Sequence, residues 1–131
     1  MTDKTALVTG AARGIGLATT KLFLAEGWRV AMIDRDAEAL ADESAQLDGV
    51  LPVVCDVSDP AQVDAMVTTV LGGLGRIDAL VNNAGVADFG PIEETTFERW
   101  RTVMATNLDG VFLVSQACIP ALKETRGAIV N

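Results

Sequence analysis

The stretch that decides the fold is residues 9–16, which read TGAARGIG. An apolar run at 6–8 precedes it and an apolar-periodic segment at 15–24 follows it, so the stretch predicts a turn from a strand into a helix. Such a turn brings backbone N–H groups and the positive end of a helix to one point. The sequence therefore predicts an anion site here.

Three glycines in this turn suit a nucleotide. Gly10 allows a tight turn, Gly14 lets the backbone approach a pyrophosphate, and Gly16 lets the helix pack closely on the strand. The GxxxGxG spacing differs from the common GxGxxG fingerprint, and no Gly-Lys-Ser/Thr of a P-loop follows. Glycine-rich turns also occur without ligands, so both interpretations stay open on the glycines alone.

Short apolar runs alternate with longer amphipathic segments along the chain. The runs are continuous, which is typical of parallel strands covered on both faces, and lie at 6–8, 30–33, 53–55, 79–81 and 128–130. Helices are predicted over 15–26 and 36–47 and from 59 and 95 onward, with Trp100 and Met104 as core residues. The alternation of these strands and helices predicts an α/β fold with a parallel sheet that helices cover on both faces. The expected arrangement is a Rossmann-type doubly wound sheet with the strand order 3-2-1-4-5. One domain portion over 1–131 is expected, truncated after the fifth strand.

Composition excludes several kinds of partner. The chain has 131 residues and a net charge of −8, which argues against nucleic acid and against an anionic membrane. No uninterrupted apolar run approaches the roughly 20 residues of a membrane span, and no signal peptide is apparent. Cys55 and Cys118 are expected in the core, neither as a disulfide nor as a metal site. A cytoplasmic location fits.

Asp34 closes the second apolar run, where a carboxylate can accept both hydroxyls of an adenosine ribose. The alternative is a helix N-cap, for which Asp36 is better placed. A 2′-phosphate charge about 4 Å from this carboxylate would be repelled by about 4 kcal/mol at an effective dielectric constant of about 20. Arg13 and Arg35 would screen part of this repulsion. The repulsion that remains favours NAD over NADP.

Together with further motifs, these features resemble the N-terminal half of the short-chain dehydrogenase/reductase family. The matching residues cover the whole chain in the order and spacing of that family and are Thr9 to Gly16, Asp34, Asp56-Val57, Asn82-Asn83-Ala84-Gly85, Asn107 and residues 127–131. Each match alone is weak, but the set is specific.

The resemblance implies a role for each matched residue. The pyrophosphate would lie against the turn formed by Thr9, Gly10, Arg13, Gly14, Ile15 and Gly16. Asp34, with Arg35 beside it, would hold the ribose, and Asp56 and the Val57 backbone would meet the adenine. Asn82, Asn83, Ala84 and Gly85 would finish the fourth strand, support the glycine turn through Thr9 and line the nucleotide. Asn107 would belong to the catalytic set by holding a water on its backbone carbonyl.

Simpler roles remain open for three of these residues. Asp56 would cap the approach to the third helix. Asn83 would satisfy backbone groups at a strand end. Asn107 would be an ordinary buried polar residue of a long helix.

The family's catalytic serine and its Tyr-x-x-x-Lys pair would follow Asn131, and this chain has no tyrosine. The resemblance implies a homo-oligomeric, NAD-dependent oxidoreductase acting on an alcohol or carbonyl substrate. The chain alone is expected to be inactive, because no group takes up the substrate proton. The alternatives are a non-catalytic nucleotide-binding module or pseudoenzyme, and an unrelated flavodoxin-like or receiver domain. A receiver domain needs an acidic pair where TGAARGIG stands.

Overall fold

The computed structural model describes residues 3–131 and contains one five-stranded parallel sheet in the order β3-β2-β1-β4-β5. The predicted fold class and strand order are confirmed. The elements before the fourth strand are β1 (Thr5–Thr9), α1 (Gly14–Ala25), β2 (Arg29–Asp34), α2 (Ala37–Ser44), β3 (Val50–Val54) and α3 (Pro60–Leu74). The remaining elements are β4 (Ala79–Val81), a 3-10 turn (Ile92–Glu94), α4 (Phe97–Met104), a π-helical turn (Ala105–Asp109), α5 (Gly110–Thr125) and β5 (Ala128–Val130).

Helices cover both faces of the sheet. Successive strand side chains alternate between faces, so Leu7 joins a core cluster with α3 and α5, whereas Val8 joins a second cluster with α1 and α2. Both side chains are fully buried. Cys55 and Cys118 are free and lie in the first cluster, as expected. Burial raises the pKa of the Cys118 thiol to about 12, which leaves it unreactive at neutral pH.

Two predicted element positions need correction. The third strand begins at Val50, not at residue 53, and it includes Pro52. Proline removes a ladder donor, but β3 is an edge strand, where this is tolerated. Trp100 was expected in the core, yet it is 55% exposed, and no residue of α4 is buried. The reason is that α4 packs mainly against the π-helical turn and not on the sheet.

The long helix composed of α4, the π-helical turn and α5 is sufficiently long and apolar to cross a membrane, judged by length and composition alone. Part of this apolar character belongs to the buried stripe of α5. Val114, Cys118 and Leu122 are buried there and pack in the core cluster shared with α3 and the sheet. The absence of a membrane partner stays an expectation.

Candidate cofactor-binding site

A cleft of about 400 Å³ opens at the carboxyl ends of the strands. It lies where the strand order reverses between β1 and β4, the usual ligand position in doubly wound sheets. Nine of the predicted site residues line it: Gly10, Arg13, Asp34, Arg35, Asp56, Val57, Asn83, Ala84 and Gly85. The other five predicted site residues lie in segments that border the cleft but do not line it. They are Thr9, Gly14, Ile15, Gly16 and Asn107.

The glycine turn is held in a shape that side chains would disturb. Gly10 has a φ of +63°, and a Cβ on it would lie 2.9 Å from the Ala84 Cα. A Cβ on Gly16 would overlap the Gly10 carbonyl oxygen and lie 2.6 Å from the Asn83 Nδ2. Gly14 has a φ of +57°, but a Cβ there would meet only open space. Gly10 and Gly16 therefore serve close packing, whereas Gly14 leaves the backbone open to the solvent side.

The N-terminus of α1 has no side-chain cap. Its N-cap residue Arg13 is extended and makes no capping hydrogen bond, and the first turn contains no acidic residue. By contrast, side chains of Asp36, Asp59 and Thr96 cap α2, α3 and α4. Ile15 stands 77% exposed in this first turn. The turn therefore combines uncapped backbone N–H groups with a positive helix end, a combination suited to an anion.

Buried Thr9 joins the ends of β1 and β4. Its Oγ1 accepts the backbone N–H groups of Asn83 at 3.0 Å and Ala84 at 2.9 Å. In return, the Asn83 Nδ2 donates to the carbonyl oxygens of Thr9 at 3.1 Å and Gly10 at 3.2 Å. The simpler role considered for Asn83, satisfying backbone groups, is thus present in the structure. The same bonds fix the glycine turn against the loop after β4.

Asp34 forms one wall of the cleft. Its Oδ2 accepts the Ala12 N–H at 3.0 Å, and its Oδ1 accepts the Asp36 N–H at 3.0 Å. The N-cap alternative for Asp34 is wrong, because Asp36 caps α2 by accepting the Ala39 N–H at 3.0 Å. Two hydrogen bonds fix the Asp34 carboxylate and leave it further lone pairs for a ligand.

Asp56 and Val57 form another part of the wall. The Asp56 Oδ1 accepts the hydroxyl of Ser58 at 2.7 Å and its backbone N–H at 3.0 Å, and these bonds lower the pKa of Asp56. Asp59 is the N-cap of α3, and Asp56 caps the segment that leads to it through these bonds to Ser58, as the simpler interpretation expected. Val57 is buried against Gly110, where a Cβ would lie 2.7 Å from the Val57 Cγ2.

Asn107 lies in the π-helical turn and is exposed, so the expectation of a buried polar residue is wrong. Its side chain holds the loop after β4. The Oδ1 accepts the Val86 N–H and the Nδ2 donates to the Val86 carbonyl oxygen, each at 2.8 Å. π-helical turns occur often at functional sites. These bonds fix the position of Val86, which lines the cleft.

Sequence reasoning missed several residues of this site. Ile33, Cys55, Asp36, Val86 and Thr106 also line the cleft. All five adjoin predicted residues along the chain, and this adjacency was the available signal. The ion pair between Asp36 and Arg13 had no such signal, because it joins separate elements. Among residues 3–131, no group of three or more His, Cys, Asp or Glu side chains is placed to hold a metal.

Three comparisons place the chain among known proteins. The family described as short chain dehydrogenase matches residues 4–131. D-threitol dehydrogenase of Mycolicibacterium smegmatis is 44% identical over 98% of this chain and 51% of its own length. Meso-2,3-butanediol dehydrogenase of Serratia marcescens is 40% identical over 98% of this chain and 52% of its own length.

The fold comparison agrees. A 3-ketoacyl-(acyl-carrier-protein) reductase from Brucella melitensis, solved in complex with NADH, superposes with a TM-score of 0.90 and 36% identity, over 92% of this chain and 50% of that one. The chain spans about half the length of these relatives. On sequence and fold alike, it belongs to the short-chain dehydrogenase family.

Proposed function

We propose that this chain is the dinucleotide-binding portion of a single short-chain dehydrogenase domain, whose intact form transfers hydride between NAD and an alcohol or ketone. The observation that carries the proposal is the uncapped α1 N-terminus beside the Asp34 carboxylate in one cleft. The NADH complex of the Brucella reductase supports a nicotinamide cofactor. The sugar-alcohol and diol names of two relatives support a small alcohol or carbonyl substrate.

The residues present fit NAD. The uncapped N–H groups after Arg13 would bind the pyrophosphate, and Asp34 would accept the ribose hydroxyls. Asp56 and the Val57 backbone would meet the adenine, and the segment from Asn83 to Gly85 would line the nucleotide. NAD supplies the hydride-accepting ring when bound. Asp34 favours NAD over NADP, because its carboxylate would repel a 2′-phosphate.

Asn107 is proposed to serve the reaction from the π-helical turn. The Asn107 side chain is already used on Val86, so its backbone carbonyl is the group left to hold a water near the reacting end. A proton must leave or join the substrate oxygen as hydride moves. This chain has neither tyrosine nor histidine to exchange that proton. We therefore propose that it binds the cofactor but shows no turnover by itself.

A second candidate is a non-catalytic nucleotide-binding module, which the same cleft would serve. The two functions share the cleft and differ in whether Tyr and Lys are encoded after residue 131. We further propose a cytoplasmic homo-oligomer, a dimer or tetramer in its intact form. The exposed side chains of Phe112 and Ile119 on α5 favour self-association.

Isothermal titration calorimetry with NADH tests the cofactor proposal. Wild-type protein is expected to bind saturably, and Asp34→Asn is expected to bind about 10- to 100-fold more weakly, because charge-assisted hydrogen bonds contribute about 1.5–3 kcal/mol. Asp48→Asn, an exposed charge-matched variant, serves as the control and is expected to match wild type. Failure of wild-type protein to bind NADH would refute the proposal. Steady NAD reduction with an alcohol would instead refute the claim of inactivity.

A further inference from the structure

Two charged residues beside Asp34 are engaged with each other. Arg13 follows Ala12, whose N–H donates to the Asp34 Oδ2, and both Arg13 and Asp34 line the cleft. The Arg13 guanidinium pairs with the Asp36 Oδ2. Arg13 thus lies at the corner where the ribose would sit, but its charge is directed to the N-cap of α2.

Each oxygen of Asp36 has a partner. The Oδ1 accepts the Ala39 N–H at 3.0 Å as the cap of α2, and the Oδ2 receives the Arg13 guanidinium. The capping bond to Ala39, followed by the hydrogen bond from Arg13, lowers the pKa of Asp36. The carboxylate is therefore charged at neutral pH, and the ion pair is available throughout the physiological range.

The pair matters because a 2′-phosphate at this corner needs a cation. Arg13 and Arg35 are the two cations that line the cleft. Among the described residues, Arg13 is in an ion pair within 4.0 Å and Arg35 is not. The ion pair thus withholds one of these two cations and leaves Arg35. To meet a 2′-phosphate, Arg13 would have to leave Asp36, and the phosphate would then face two carboxylates, Asp34 and Asp36.

We propose that Asp36 is a specificity-determining residue for the cofactor, which disfavours NADP by holding Arg13 in an ion pair away from a 2′-phosphate. This inference rests on the proposed function, because it concerns the same cleft. It adds a second determinant to the direct repulsion by Asp34. The two act differently, since Asp34 repels the phosphate whereas Asp36 withholds its counter-charge.

A double-mutant cycle at Asp36 and Arg13 tests this inference, with the dissociation constants of NADH and NADPH measured by calorimetry. Asp36→Asn retains a capping side chain but loses the charge. It is expected to lower the ratio of the NADPH to the NADH dissociation constant about three- to fivefold, the range of an exposed ion pair. In the Arg13→Gln background, the same substitution is expected to change the ratio by less than about 1.5-fold, because no guanidinium remains to be released.

Asp42→Asn, on the exposed side of α2, removes an equal charge and is expected to leave the ratio unchanged. An equal effect of Asp36→Asn with and without Arg13 would overturn the inference, since the effect would then be general repulsion. If Asp36→Asn unfolds, Asp36→Ser, also a good cap, replaces it in the cycle. Absence of wild-type binding to either dinucleotide would refute the proposed function, and this inference with it. Binding of NADH without the coupling would refute the inference alone.

Discussion

The strands β1 and β5 look alike in sequence but lie in opposite environments. Both are short continuous apolar runs, and both pair in parallel with β4. All five residues of β1 are buried, whereas all three residues of β5 are exposed. An apolar run therefore identifies a strand but does not show how well the strand is covered. Rigidity is therefore expected at the centre of the sheet, where β1 leads into the candidate cofactor cleft.

Removing a side chain from each strand should give the largest contrast. Leu7 in β1 is 0% exposed, and Ile129 in β5 is 37% exposed. Leu7→Ala is expected to lower the free energy of unfolding by about 2–5 kcal/mol, because it leaves a cavity in the core. Ile129→Ala is expected to cost only about 1 kcal/mol. Urea unfolding at several protein concentrations measures both, and equal losses would contradict the comparison.

The glycine turn after β1 offers the next contrast. Gly16→Ala would drive a Cβ into the Gly10 carbonyl oxygen, so we expect a loss of about 2–3 kcal/mol in the free energy of unfolding. Gly14→Ala meets open space and carries only the strain of its φ of +57°, about 1 kcal/mol. Thermal and urea unfolding measure the loss of stability in each of the two variants. A larger loss at Gly14 would show that the packing assigned to Gly16 is wrong.

The hydroxyl of Thr9 should matter more than a hydroxyl on the surface. Thr9→Val leaves the N–H groups of Asn83 and Ala84 without their acceptor, which should cost about 2 kcal/mol. Thr19→Val removes a hydroxyl whose hydrogen bond goes to the Ile15 carbonyl of its own helix, and should change stability by less than about 0.5 kcal/mol. Urea unfolding compares the two. Similar costs would mean that Thr9 does not join β1 to β4.

The smallest effect is expected at the amino end of the sheet and depends on pH. Burial raises the pKa of Asp78, but hydrogen bonds from Arg76 and the Thr5 N–H outweigh it, so the folded pKa is lowered. The carboxylate therefore stabilises the fold above its unfolded pKa of about 3.9, and this contribution is lost as the pH falls through the lower folded pKa.

Asp78→Asn should accordingly cost about 1 kcal/mol at pH 7 and progressively less below about pH 4. Urea midpoints at pH 7, 5 and 3 follow this trend, with Asp64→Asn on the exposed side of α3 as the charge control. A cost that stays constant across this range would show that the carboxylate charge contributes nothing.

Local signals predicted much of this molecule. The alternation of apolar runs with amphipathic segments predicted the parallel sheet. Asp36 was recognisable as a helix cap because capping acts over a few residues. The glycine turn was predictable for the same reason. Nine predicted site residues line one cleft because strand ends meet there in any sheet of this topology.

Features that depend on distant packing were not predictable. Trp100 has a helical apolar spacing, but only the position of α4 away from the sheet explains its exposure. The hydrogen bonds between Asn107 and Val86 join residues 21 positions apart in the sequence, and the Arg13–Asp36 ion pair joins residues 23 positions apart. Neither pairing leaves a periodic trace in the sequence, so only the assembled sheet brings these groups together.

The most direct test of the central claim is an NMR titration of the chain with NADH, which follows the backbone amides of the cleft and of β5 together. We predict shifts concentrated at Gly10–Gly16, Asp34–Asp36 and Asn83–Gly85, with the amides of Ala128–Val130 unchanged. Absence of saturable shifts, or shifts centred on β5, would contradict the assignment of the cofactor to the cleft.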